Sequence, residues 1–201
     1  MAKFELWFPI KNPFLVTQRF GEALIDYSKP PYNIPSGKHN GWDVVGEFGQ
    51  LIRAAHDGII TFTGQDGSGG LGVVMRTKEM FEYNGSQVYF KTIYWHCKAG
   101  SFRVKPGDVV KVGDQLAECD STGVSSGSHL HFGLKPIAQG ENDWSWSNLE
   151  QNNGYFGAID PSPYWNSYYA EDSQQVLGIY RAMIDILIKI LEKLRNASKT
   201  P

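Results

Sequence analysis

The chain has 201 residues, of which 41% are hydrophobic and 20% are charged, so it can bury one hydrophobic core and carry a small appendage. Its formal net charge is -2 and its sequence pI is about 6.2, which argues against the basic surface of a nucleic-acid-binding protein. The first nine residues do not combine a basic start with a sustained apolar run, so we expect no secretory signal peptide and predict an edge strand there.

Residues 1–136 are predicted to form an all-β core domain. Short runs of β-branched and aromatic residues alternate with Gly, Pro, Asn and Asp at close spacing, as in strands joined by turns. The pair Asn84-Gly85 is the strongest hairpin signal and predicts a long antiparallel hairpin around it. A Val-x-x-Gly-Asp unit at 104–108 recurs at 110–114, which predicts two tight turns between short strands.

Residues 137–170 are rich in Asn, Gly, Ser, Pro and aromatic residues, which predicts an irregular segment packed on the core. Aromatic side chains in a long loop more often anchor the loop than bind a ligand, so anchoring is the preferred interpretation. Trp144 and Trp146 are spaced to share one face, which makes them the candidates for lining a groove.

Residues 171–201 show a different period, because apolar residues recur in steps of three and four. This pattern predicts one amphipathic α-helix from about Ser173 to Asn196. Charged residues along the helix argue against a transmembrane span, which needs about 20 predominantly apolar residues. Two interpretations stay open: the helix packs on its own domain, or it mediates self-association or anchors a partner. The apolar stripe consists of Leu177, Tyr180, Ile184, Leu187, Leu191 and Leu194.

The segment 128–133 carries two imidazoles two residues apart in a run that otherwise resembles a β-strand. Because side chains alternate along a strand, His129 and His131 are expected to share one face. Leu130 and Phe132 then point to the other face, into the core. The two histidines are therefore expected to stand together on a cleft-facing surface.

A second group of possible ligands lies in residues 37–45. If this segment is extended, His39 and Asp43 share a face, and Gly41 leaves the space between them empty. Imidazole and carboxylate both bind zinc, and one imidazole from His129 or His131 completes three protein ligands. Three ligands leave a position for water, which indicates a catalytic zinc site, with the remaining histidine and His96 available for proton transfer.

The other histidine and the cysteines are expected to take no part in the chemistry. His56 is interpreted as a turn histidine with a solvated ring. Cys97 follows His96 directly, so in a strand it would point to the opposite face and lie in the core. The only other cysteine is Cys119, and we expect both thiols to be free.

The combined motifs resemble those of the lysostaphin-type zinc endopeptidases, which cut peptidoglycan. The matching segments are His39-Asn40-Gly41-Trp42-Asp43, Tyr94-Trp95-His96 and His129-Leu130-His131. The resemblance covers roughly residues 14–136. It implies that His39, Asp43 and His131 bind one zinc ion per chain and that His96 and His129 are the catalytic histidines.

The same resemblance implies an antiparallel β-sheet with an active-site groove and a peptide of bacterial peptidoglycan as the substrate. Asn40, Trp144 and Trp146 are the residues expected to line the substrate groove. Zinc would supply an activated water for hydrolysis of a peptide cross-link. With no signal peptide expected, delivery would depend on a lysis system, a virion or another non-classical route, as for a phage-type lysin.

Two other functions are weighed against this one. An inactive cell-wall-binding or regulatory protein on the same fold is disfavoured, because all five positions of the site are retained. The stretch 105–115 also resembles biotinyl and lipoyl carrier modules. We do not expect an exposed attachment lysine in a hairpin turn there, and a carrier would leave the histidines unexplained.

Overall fold

The structure, a computed structural model of the chain, describes residues 3–11, 15–138, 149–170 and 173–197. Its architecture confirms the predicted β core with a C-terminal helix. The strands are β1 (Leu6–Phe8), β2 (Val16–Gln18), β3 (Trp42–Val45), β4 (Leu51–Arg53), β5 (Gly58–Asp66), β6 (Gly70–Thr77), β7 (Phe81–Tyr83), β8 (Ser86–Trp95), β9 (Val109–Val110), β10 (Gln115–Glu118), β11 (His129–Ile137) and β12 (Trp165–Tyr169). A 3-10 turn at Ser162–Tyr164 precedes β12, and the helix α1 spans Ser173–Ala197.

The main sheet is antiparallel and has the strand order β2-β3-β11-β8-β6-β5-β9, with β7 paired beside this path to β8. β11 therefore lies between β3 and β8, near the middle of the sheet. One face of these strands packs into the core through alternating apolar side chains, so the opposite face is available for a groove. The buried side chains of that core face include Val44, Val73, Tyr94, Leu130 and Phe132.

The predicted hairpin at Asn84-Gly85 is confirmed, because β7 pairs with the start of β8 across this turn. Asn84 has a φ of 48° and Gly85 a φ of 79°, so both turn residues are left-handed, as a two-residue hairpin turn that follows the strand twist requires. The strand leading into the turn is interrupted at residues 78–80, where β6 ends and β7 has not begun.

The two Val-x-x-Gly-Asp units form the same turn twice. The Asp108 carboxylate accepts a hydrogen bond from the Lys105 backbone N–H at 3.0 Å, and the Asp114 carboxylate accepts one from Lys111 N–H at 2.8 Å. A glycine with positive φ precedes each aspartate, since only glycine adopts this conformation without strain. The turns enclose β9, which pairs with β5 at the edge of the sheet.

The segment 149–170 is anchored by its aromatic residues, as predicted. The ring of Tyr164 packs on Phe4 at a centroid distance of 5.5 Å, and Trp165 packs on Phe132 of β11 at 4.9 Å. The prediction of an entirely irregular segment was wrong, because β12 pairs in parallel with β1. The N-terminal strand thus joins a separate two-stranded sheet, and β4 and β10 form another.

Helix α1 begins at Ser173, as predicted, and ends at Ala197. Every α1 side chain for which burial is described is exposed, so those side chains do not pack into the β core. Tyr180 is hydrogen bonded to Tyr168 of β12. Among the described residues, no helix combines the length and apolar character needed to cross a membrane. The exposed apolar side chains are Ile179, Tyr180, Met183, Ile184, Ile186, Leu187, Ile188, Ile190, Leu191 and Leu194.

Candidate metal centre

Two adjacent strands bring the predicted metal ligands together. In the pairing of β11 with β3, the Cα partner of His131 is Asp43, so their side chains stand side by side on the same face. His39 lies just before β3, where its backbone pairs with Gly21 and Glu22. The alternation expected for β11 is observed, because Leu130 and Phe132 are fully buried on the other face.

Three donor atoms of this group converge on one point. His39 Nε2 lies 3.0 Å from His131 Nδ1 and 3.2 Å from Asp43 Oδ1, and His131 Nδ1 lies 3.0 Å from Asp43 Oδ1. Ligands about 2.0–2.1 Å from a tetrahedral zinc ion are separated from one another by about 3.3 Å, so the observed spacing fits one zinc ion. Two imidazoles and one carboxylate are also the donor types that zinc prefers, and they leave a position open.

Outer contacts orient these ligands. His39 Nδ1 lies 3.4 Å from the Arg19 carbonyl, which can only accept, so this contact requires the Nδ1–H tautomer and leaves the Nε2 lone pair for a metal. The imidazole of His131 packs against Gly41, where a Cβ would lie 2.7 Å from the imidazole Nε2 and Cε1. Gly41 is therefore needed for the placement of His131.

The electrostatics of the group favour its metal-binding protonation states. Burial alone would raise the pKa of Asp43, but the adjacent imidazoles of His131 and His39 outweigh it and hold that pKa well below its ordinary value. Burial also lowers the pKa of His131. A carboxylate and a neutral imidazole are the forms that bind zinc.

His96 reaches the groove through an unusual backbone conformation. β8 ends at Trp95, and His96 has a φ of 64°, in the left-handed region that most side chains avoid. Its Nδ1 lies 2.7 Å from the Thr122 carbonyl, so Nδ1–H is the donor and Nε2 carries the lone pair. Burial, followed by the proximity of His129, lowers the pKa of His96 to about 4.

A backbone carbonyl also fixes the orientation of the His129 ring. Its Nδ1 lies 2.8 Å from the Gly127 carbonyl, to which it must donate, and 3.2 Å from Ser125 Oγ. His129 Nε2 lies 3.6 Å from Asp43 Oδ1, farther than the three converging atoms. The ring of His129 is 4.4 Å from that of His96, so two imidazoles with unprotonated Nε2 atoms stand beside the three ligands.

These residues line one cleft of about 810 Å³, and Asn40 is also part of its lining. Trp95 forms part of the wall, although its role was not predicted. A Cβ on Gly72 would lie 1.7 Å from Trp95 Cε3, so the indole rests directly on the β6 backbone. Phe156 of the 149–170 segment lines the same cleft. Trp144 and Trp146, the other expected groove residues, lie outside the described residues.

The interpretation of His56 as a solvated turn histidine was wrong. The residue is buried, with Nδ1 2.8 Å from the Asp57 carbonyl and Nε2 2.9 Å from Thr92 Oγ1. Burial lowers the pKa of His56 to about 4, so it is a neutral core residue at neutral pH. The ring also packs edge-on to Phe4 at 5.6 Å. The expected burial of Cys97 and the expected free thiols of both cysteines are observed.

The carbonyl groups that fix the histidine tautomers were not predicted. Arg19, Thr122 and Gly127 act through backbone oxygens, for which the side-chain type gives no signal. In the sequence, Trp95 is only the middle residue of the matching segment Tyr94-Trp95-His96. Its position opposite His131 in the pairing of β8 with β11 follows from the register, which the sequence did not reveal.

Comparison with known proteins agrees with this site. Residues 37–143 match the model described as peptidase family M23, which is more than half of the chain and contains both groups of histidines and Asp43. The chain is 29% identical over 187 residues to glycyl-glycine endopeptidase ALE-1 of Staphylococcus capitis, covering 85% of this chain and 46% of that protein.

Two further proteins, one curated relative and one solved structure, are similar to this chain. The chain is 36% identical over 94 residues to the DD-carboxypeptidase/endopeptidase Mpg of Neisseria meningitidis, covering 47% of this chain and 19% of that protein. The crystallised catalytic domain of lysostaphin from Staphylococcus simulans superimposes with a TM-score of 0.54 at 25% identity, covering 77% of this chain and 96% of that domain. The chain thus spans less than half the length of these two curated relatives.

Proposed function

The chain belongs to peptidase family M23, and on that premise we propose that it is a zinc metallo-endopeptidase that hydrolyses peptide cross-links of bacterial peptidoglycan. One observation carries the proposal: donor atoms of His39, Asp43 and His131 lie within 3.2 Å of one another at the wall of a peptide-sized cleft. The zinc-binding His-Asp-His group typical of the family is therefore present in this chain.

Two histidines beside the zinc group are proposed to carry out the proton transfers. Bound zinc supplies a Lewis acid that activates water and polarises the scissile carbonyl. His96 and His129 each present Nε2 towards the cleft while a backbone carbonyl holds Nδ1–H. One imidazole accepts the proton of the attacking water at Nε2, and an imidazole protonated there can stabilise the oxyanion or protonate the leaving amine. No covalent bond to the enzyme is needed.

The substrate class is supported by the shape of the site and by the relatives. The cleft runs along the open face of a sheet, where an extended peptide can lie beside β11 and β8. The two curated relatives carry the names glycyl-glycine endopeptidase and DD-carboxypeptidase/endopeptidase, which designate different bonds. We therefore propose the peptide cross-link as the substrate class rather than one particular bond.

Incubation of the zinc-loaded protein with purified sacculi tests the proposal. New free amino groups should appear without new reducing sugar ends, and the His131→Ala variant should release neither. Sacculi with glycine bridges and sacculi with direct cross-links, digested in parallel, would show which bond is cut. Release of reducing ends by the wild-type protein would identify a glycan-cutting enzyme and refute the assignment.

The two competing functions have less support. A wall-binding protein without activity would not need two orientated imidazoles beside a complete ligand group. A carrier needs an exposed lysine in a turn, and the expectation that this stretch has none was wrong, because the Lys105 side chain in the first repeated turn is 82% exposed. It forms an ion pair with Asp108 at 3.1 Å, and a carrier function would still leave the metal group unexplained.

We also propose that the enzyme acts as a phage-type lysin that reaches the wall through a lysis system, a virion or another non-classical route. The proposal follows from the wall substrate. Adding the purified protein to intact bacteria should lower the turbidity of the suspension if the wall is accessible from outside. A protein that cuts isolated sacculi but must be exported by its own cell would instead be a wall-remodelling enzyme.

Self-association through the helix at residues 173–196 is a further proposal. It is supported by the exposed apolar side chains along α1, among them Leu187 and Leu191. Burial of such a stripe between two copies would remove it from water. Light scattering of the full chain should give twice the monomer mass, whereas Leu187→Glu/Leu191→Glu should be monomeric. A monomeric full chain would refute this proposal.

A further inference from the structure

Cys97 and Cys119 face each other beside the candidate site. They form an isolated antiparallel bridge between two extended segments, and both side chains are fully buried. Backbone hydrogen bonds flank the pair, from Lys98 N–H to the Glu118 carbonyl at 2.8 Å and from Asp120 N–H to the His96 carbonyl at 3.0 Å. The cysteines themselves are thus the non-hydrogen-bonded pair of this ladder.

Such a pair has the separation that a disulfide requires. Cα atoms of a non-hydrogen-bonded antiparallel pair lie about 4.5 Å apart, at the short end of the range of about 4.4–6.8 Å that disulfides span. The surroundings also leave room for the sulfur of Cys119, because a Cβ on Gly46 would lie 2.5 Å from its Sγ. Any larger residue at position 46 would displace this sulfur.

The thiols have no part in the proposed hydrolysis. The Cys97 thiol lies 3.5 Å from the Tyr94 carbonyl, and Cys119 Sγ lies 3.7 Å from Ser128 Oγ. Burial raises the pKa of Cys97 to about 12 and that of Cys119 to about 11, so both stay protonated at neutral pH. A buried, protonated thiol is a poor nucleophile, which leaves the pairing of the two cysteines unexplained by the peptidase chemistry.

We propose that Cys97 and Cys119 form a disulfide under oxidising conditions and that this cross-link staples the two segments that hold the catalytic histidines. Because the folded chain buries both thiols, the exchange takes place as the chain folds, when one thiol loses its proton and attacks a small-molecule disulfide, releasing one thiol of that reagent. The second cysteine then displaces the other half. In total, two protein thiols lose two protons and two electrons, and one small-molecule disulfide becomes two thiols.

The position of the cross-link defines its effect. His96 directly precedes Cys97, and Asp120, which directly follows Cys119, forms a bridge with His129 through the His129 N–H at 3.2 Å. A bond between the cysteines therefore restrains the distance between the two imidazoles without touching either ring. The proposed wall substrate lies outside the reducing cytosol, where disulfides persist, although the geometry of the pair does not depend on the proposed function.

Oxidation of the full chain tests the proposal directly. The protein is refolded in oxidised or in reduced glutathione, denatured in an alkylating reagent and weighed by mass spectrometry. The oxidised sample should lose two hydrogens, take up no alkyl groups and give a peptide that joins Cys97 to Cys119. Because the chain has only two cysteines, a second internal disulfide cannot form. The thermal midpoint should rise by roughly 5–10 °C on oxidation.

Cys119→Ala and Cys97→Ala are the matched controls, and neither should show a thermal shift between the two glutathione conditions. If a variant does not fold, the mass and thermal data of the wild-type chain still decide the question. Persistence of two alkylatable thiols after oxidation, or cross-linking only between chains, would overturn the proposal. Loss of peptide cleavage in the oxidised chain would overturn the role of the bond as a staple.

Discussion

The imidazole rings of His96 and His129 lie 4.4 Å apart, although His96 would point into the core if its strand continued. Tyr94, two residues earlier, is fully buried, and regular alternation would place His96 on the same side. The left-handed φ of 64° at His96 ends the strand and turns the ring into the cleft. A strained conformation is thus retained at the position where the proposed proton transfer requires it.

The strain at His96 predicts an order of stability for two variants. His96→Gly should be more stable than His96→Ala by roughly 0.5–1 kcal/mol, because glycine adopts the left-handed conformation without a Cβ clash. Both variants lose the same imidazole and should retain zinc, while cleavage should fall by about two to four orders of magnitude. Urea unfolding measures the difference, and an alanine variant at least as stable as the glycine variant would contradict the prediction.

The two histidines of β11 should respond differently to substitution. His131→Ala leaves two protein ligands where a catalytic zinc site needs three, so bound zinc should be largely lost. His129→Ala should keep near-stoichiometric zinc while cleavage falls by about two to four orders of magnitude. Elemental analysis of the two purified variants gives the answer. Zinc lost from His129→Ala but kept in His131→Ala would reverse the assignment.

Gly72 should tolerate no side chain, because its Cβ would lie 1.7 Å from Trp95 Cε3. Gly72→Ala should destabilise the fold by about 1–3 kcal/mol and displace the indole from the cleft wall. Gly67 in the same hairpin is the matched control, since a Cβ there meets nothing within 4 Å. Urea unfolding should separate the variants, and equal stability of Gly72→Ala and Gly67→Ala would show that Trp95 can move freely.

The buried His56 predicts an acid-sensitive fold. Its pKa is lowered from 6.5 to about 4 in the folded state. As the pH falls, the unfolded chain therefore protonates this imidazole at a higher pH than the folded chain does. The corresponding stability is fully present above pH 6.5 and is lost as the pH falls towards 4, by on the order of 3 kcal/mol at most. His56→Gln should show a smaller loss of stability between pH 7.5 and 5 than the wild type. Some loss should remain, because burial also lowers the pKa of His96 to about 4.

Removal of residues 171–201 should leave the β core intact. The truncation removes α1, whose described side chains are exposed. The shortened chain keeps Ala170, which is buried, as its last residue. The shortened chain should bind zinc stoichiometrically and unfold in one cooperative transition. Loss of zinc or of cooperative unfolding would show that the helix belongs to the core rather than to an appendage.

The alternation of side chains along strands and the residue preferences of turns made much of this fold predictable. Alternation placed His129 and His131 on one face and Leu130 on the other, and Asn84-Gly85 located a hairpin, because both are local rules. The end of β8 at Trp95 was not predictable, since the φ of His96 is imposed by tertiary contacts such as the Thr122 carbonyl. Similarly, nothing local in the sequence distinguishes a buried His56 from a solvated one.

The pairing of Asp43 with His131 links metal binding to the choice of strand register. A shift of β11 by one residue would turn both of its histidines into the core and Leu130 into the cleft. Only the native register assembles three ligands, so an ion that binds this group stabilises that arrangement and no slipped one. Zinc binding would therefore favour chains with the native strand pairing, and chains that folded with β11 out of register would not bind the metal at this group.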